Sequence, residues 1–139
     1  MIIIKIMQTI PLFGVLLLLY WFTCQIGIFP QRLNNVLVTF TLPSGVQWMP
    51  TWGDVWVLIG LMILYLEVFK ATRTSIVTIF DHLLSTCVLI SYLVIWLIYP
   101  WGGNSVFLIL STMCLIDVVA GFTITISAAR RDLAFGSGQ

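Results

Sequence analysis

Residues 106–128 read VFLILSTMCLIDVVAGFTITISA and hold one charged residue, Asp117. A helix needs about 20 mostly apolar residues to cross the hydrocarbon of a bilayer. A helix on the surface of a soluble core carries a polar face as well as an apolar one. This stretch has no such charged face, so it predicts a transmembrane helix. Three further runs fit the same reading: about Met7 to Phe29, about Gly53 to Phe69 with Trp52 at its edge, and about Ile76 to Tyr99. Membrane strands alternate with period two, whereas these runs are apolar all round. The sequence therefore predicts an all-α integral membrane protein with four transmembrane helices. They form one domain over residues 1–135, followed by a flexible tail at 136–139.

Composition agrees. The chain has 139 residues, 60% hydrophobic and 8% charged, against roughly 25% charged in a soluble domain. A small globule leaves much of its surface exposed and cannot hide so much apolar material. Six basic residues against five acidic ones supply no bulk charge for nucleic acid. The partner implied is the lipid bilayer. The first run is expected to be retained rather than cleaved, because no small-x-small site follows it. Trp21, Phe22 and Thr23 stand before Cys24, where a lipoprotein signal would carry small residues.

The basic residues predict orientation. Lys5, Lys70, Arg73, Arg130 and Arg131 fall on one side of the four spans, and Arg32 falls on the other. Positive loops stay in the cytoplasm, so both termini are expected there, in a bacterial inner membrane. Trp48, Trp52, Trp56, Trp96, Tyr99 and Trp101 then gather at the outer interface as an aromatic belt. Lys70, Arg73, Arg130 and Arg131 read as topology anchors. Glu67 and Lys70 are three apart and can pair. Asp54 reads as a favourable charge at a helix start. Short links predict that the second, third and fourth spans are antiparallel neighbours. Between the first two spans, Val36, Val38, Phe40 and Leu42 alternate ahead of a Pro43-Ser44-Gly45 turn. This predicts a short hairpin. An interfacial helix through Leu33, Leu37 and Phe40 is the competing reading.

Little in the sequence suggests an enzyme. Cys24, Cys87 and Cys114 stand apart with no C-x-x-C pair, His82 is the single histidine, and no phosphate loop or nucleophile elbow occurs. No cofactor and no metal are expected. What topology leaves unexplained is Asp117. It lies near the midplane, where a charged aspartate costs about 2.5–3.5 kcal/mol on insertion scales. Cys114, Asp117, Gly121, Thr125 and Ala128 share one helical face that is small and polar, suited to close helix packing. On the third span Asp81, Ser85, Tyr92 and Trp96 share a face, with His82 beside Asp81. If the two faces meet, a polar ladder runs Asp81, Asp117, Tyr92, and His82 is placed to relay protons.

Two functions follow. The first is a non-enzymatic membrane protein that associates through its fourth helix, as a homo-oligomer or as a subunit of a larger membrane complex. The second is a small channel, pore or proton-coupled transporter using Asp117. In size, several spans and charged tail, the layout is similar to that of phage holins, without a shared motif. Four-helix multidrug exporters carry a glutamate in the first span, and this first span has no acid.

Overall fold

The computed structural model describes residues 10–72 and 76–136, with the backbone alone described at 76–79 and 132–136. Among the described residues four helices carry the fold: α1 Leu12–Gln25, α2 Trp52–Ala71, α3 Ile76–Ile98 and α4 Ser105–Gly136. Two short strands, β1 Phe40–Thr41 and β2 Gln47–Trp48, lie between α1 and α2. Among the described residues three helices are long and apolar enough to cross a membrane, over Trp52–Ala71, Phe80–Ile98 and Ser105–Arg131. The fold is consistent with an integral membrane protein.

The first helix is shorter than the sequence predicts. Its 14 residues reach about 21 Å, less than the roughly 30 Å of bilayer hydrocarbon. Residues 7–9 of the expected span lie outside the described residues. At the other end the chain turns rather than continuing to Phe29. Gly27 adopts φ +72°, and the Gly27 and Ile28 amides donate to the Cys24 and Thr23 carbonyls at 3.1 Å each. This paired closure ends a helix at a left-handed residue, where glycine carries no Cβ penalty. The apolar run of Ile26, Ile28 and Phe29 hides that stop.

The other boundaries are close to the expected ones, except that α4 runs on to Gly136. Gly136 is therefore helical rather than part of a tail, and residues 137–139 lie outside the described residues. Helix α2 starts with a capping box. Thr51 Oγ1 accepts from the Asp54 amide at 3.3 Å, and the Asp54 carboxylate accepts from the Thr51 amide at 2.7 Å. Two otherwise orphaned amides are satisfied this way. Helix α4 is preceded by Asn104, whose Oδ1 caps it by accepting from the Phe107 amide at 2.9 Å.

Helix α4 is the hub. It packs along both α2 and α3, and these two pack more closely on α4 than on each other, despite the short link between them. That departs from the neighbour order expected for α2 and α3. The physical reason is side-chain size. A Cβ at Gly60 of α2 would fall 2.5 Å from Leu110 Cδ2 of α4, so the missing side chain lets the two backbones approach. Helix α1 closes the bundle against α2 and α3.

Between α1 and α2 the chain forms the hairpin rather than the interfacial helix. Phe40 pairs with Trp48 and Thr41 with Gln47, antiparallel. The Phe40 and Trp48 rings stack at 6.0 Å. The Trp52 and Gly53 amides donate to the Asn35 and Leu33 carbonyls at 3.2 and 2.8 Å. The base of the hairpin is thus tied to the start of α2. Tyr20 centres an aromatic cluster at this end. Its ring lies 5.2 Å from Phe107, 5.3 Å from Trp56, 6.0 Å from Phe29 and 6.2 Å from Trp101.

Candidate functional site

At the opposite end, polar side chains from three helices enter the core. The site begins with a problem of helix termini. The first amides of a helix have no partner within it, and the start of α1 is packed against α2. Glu67 of α2 solves this: its Oε1 accepts from the Leu12 amide, and a carboxylate at a helix start is electrostatically favourable. Glu67 is itself buried, with 1% of its side chain exposed, so it needs a countercharge. Lys70, one turn further along α2, supplies it. Its Nζ lies 2.6 Å from Glu67 Oε2 and 2.9 Å from Asp81 Oδ1 of α3. The same Nζ donates to the Ile10 carbonyl at 3.2 Å. One ammonium therefore binds the start of α1, the end of α2 and the early part of α3.

Asp117 joins this cluster from α4. It lies twelve residues after Ser105, about 18 Å along the helix, and is buried. Ser85 of α3 and the charged side chains Glu67, Asp81 and Lys70 are the polar groups in its surroundings. Its Oδ2 is buried with no hydrogen-bond partner among the described residues. Buried polar atoms are nearly always paired, and an exception requires an explanation.

The faces expected from the sequence are distributed as follows. Asp81, Ser85 and Tyr92 are buried on the inner side of α3, and Ser85 is among the polar groups around Asp117. Tyr92 turns elsewhere: its hydroxyl donates to the Phe13 carbonyl of α1 at 3.2 Å. His82 is also buried, but its Nε2 lies 3.0 Å from Thr125 Oγ1 rather than on an acid. Its ring covers Gly121, where a Cβ would fall 2.5 Å from His82 Cε1. Phe122 lies beside it at 5.6 Å between ring centroids. The small face of α4 is thus filled from within the chain at Cys114, Asp117 and Gly121, with Thr125 and Ala128 half-buried. Of the expected anchors, Lys70 is drawn into the cluster, and Arg130 and Arg131 are exposed near the end of α4. Arg73 and Lys5 lie outside the described residues. Glu67 is the member that the sequence reading undervalued. The available signal was an acid inside an apolar span, three residues before Lys70.

Metal chemistry has no visible ligand set: no group of three or more His, Cys, Asp or Glu side chains suited to a metal ion occurs among the described residues. Between the cluster and the hairpin end, further polar atoms lie in the core. The Ser111 hydroxyl donates to the Phe107 carbonyl at 2.8 Å, and Asn104 Nδ2 donates to the Tyr20 hydroxyl at 3.0 Å. Asn104 in turn lines two open clefts at that end. Comparison with known protein families, curated proteins and solved structures finds no match for this chain.

Proposed function

We propose that this chain is a non-enzymatic, proton-coupled membrane transporter or proton-conducting subunit, with Asp117 as the group that takes up and releases the proton. The observation that carries the reading is the buried, unpartnered Oδ2 of Asp117 beside Glu67, Asp81 and Lys70. Glu67 and Asp81 share the Lys70 ammonium, and Asp117 adds a third carboxyl group that has no ion pair among the described residues. In a medium of low dielectric constant, that excess negative charge is costly. A proton on Asp117 reduces it and gives the carboxyl group a hydrogen to donate. An ionisable group held inside a bundle of spans is a usual marker of an ion or proton path. Lys70 is the most exposed side chain of the charged cluster, at 15%, and Asn104 lines clefts at the other end. In this reading α1 is the fourth span, and the five-to-one division of basic residues sets the Lys70 end in the cytoplasm of a bacterial inner membrane.

The test is proton flux into vesicles holding the purified chain and a pH-sensitive dye. The chain should dissipate an imposed pH gradient, and Asp117→Asn should remove this activity while inserting normally. Absence of flux at any gradient, or equal flux in the variant, defeats the proposal.

Association with a second copy or with other membrane subunits is the second reading. It is favoured by the exposed run of Leu115, Ile116, Val119, Phe122 and Ile126 along α4. With Gly121 covered by His82, such contact would use this outer face. Counting of labelled chains in single bilayer particles tests it: one chain per particle in native lipid rules it out.

A further inference from the structure

At the hairpin end, α1, the turn that follows it and α2 enclose a cleft of about 350 Å³, lined by Ile28, Phe29, Val55, Trp56 and Ile59 and also by Arg32. We infer that this cleft binds one anionic phospholipid, with an acyl chain along the apolar wall and the phosphate on Arg32. The charge pattern selects this occupant. Arg32 is exposed and has no ion pair among the described residues. Asp54, the acid nearest in sequence to the cleft wall, is held by Thr51, accepting from its amide at 2.7 Å and its hydroxyl at 2.8 Å. No carboxylate is therefore shown competing for the guanidinium, which can meet a phosphate with two parallel hydrogen bonds.

Depth fits as well. Ile59 lies seven residues beyond Trp52 on α2, about 10 Å further along the helix. Trp52, half exposed at the start of α2, marks the level at which indole rings sit against head groups. An acyl chain entering at Arg32 thus descends beside Val55 and Trp56 to Ile59. A soluble anion would use Arg32 but leave the apolar wall uncovered. The cleft is separate from the acidic cluster, so its test is independent of Asp117.

The experiment is native mass spectrometry of the full chain released from detergent. The probes are phosphatidylglycerol and phosphatidylcholine with the same oleoyl chains, and glycerol phosphate as competitor. Both lipids carry the phosphate, but only phosphatidylcholine sets a choline cation beside it to repel Arg32, so one bound phosphatidylglycerol should be favoured by roughly tenfold. Arg32→Gln should abolish the preference, and Ile59→Trp, which fills the floor, should weaken both lipids. Glycerol phosphate should not compete. Arg32 is exposed, so its variant should fold even if Ile59→Trp does not. Equal binding of the two lipids, or a preference that survives Arg32→Gln, overturns the proposal. So does displacement of the lipid by glycerol phosphate, which would mark an anion site without an acyl groove.

Discussion

The two ends of the bundle are held together by different physics. At the Lys70 end one ammonium joins Glu67, Asp81 and the Ile10 carbonyl, and the contacts are charged, few and mutually dependent. At the hairpin end Tyr20 is surrounded by four aromatic rings, and the contacts are apolar, numerous and individually weak. Loss of one charged partner strands the others in a dry interior, whereas loss of one ring contact leaves the rest in place. A proton path of the kind proposed would gain from the first arrangement, because a change of charge there alters every member.

That contrast can be broken most sharply at Lys70. Lys70→Met leaves Glu67 and Asp81 buried without a cation, which should cost about 3–5 kcal/mol. Unfolding by denaturing detergent would measure it. The triple variant Glu67→Gln, Lys70→Met, Asp81→Asn should recover much of the loss, because it removes the stranded charge. Next in size is Gly121→Leu, which drives a side chain into the His82 ring and should cost about 1–3 kcal/mol. Adding His82→Ala should restore much of that stability. At the hairpin end Tyr20→Phe removes the bond from Asn104 but keeps the ring, and a loss of about 0.5–1.5 kcal/mol is expected in the same assay. The smallest effect is expected at Trp48→Ala. It removes the stack on Phe40 and should cost about 0.2–1 kcal/mol, with proton flux unchanged.

The long helices were legible because apolar length is a direct consequence of bilayer thickness, and α2, α3 and the start of α4 fall close to the expected bounds. The end of α1 was less legible. Gly27 gave the local signal for a stop, but hydrophobic neighbours on both sides favoured reading on to Phe29. Asp117 could be singled out as a lone charge in mid-span. The inner face of Asp81, Ser85 and Tyr92 could be found by helical spacing. The partners of these residues were not readable. Glu67 holds the start of α1 across 55 positions of sequence, a pairing set by tertiary packing alone. Gly121 announced a close approach, but that the visitor is the His82 ring of the same chain depends on the rotation of α3 against α4. The packing order of α2, α3 and α4 was hidden for the same reason: a short link limits distance, and small residues such as Gly60 decide which faces meet.

The most direct test of the central claim is the protonation state of Asp117 itself. Infrared difference spectra of the chain in lipid, recorded as pH is stepped, report the carbonyl stretch of protonated carboxyl groups. The expected result is a pH-dependent band that is lost in Asp117→Asn and kept in Tyr20→Phe. An unchanged band in Asp117→Asn, or no such band in the unmodified chain at any pH that preserves the fold, would contradict it.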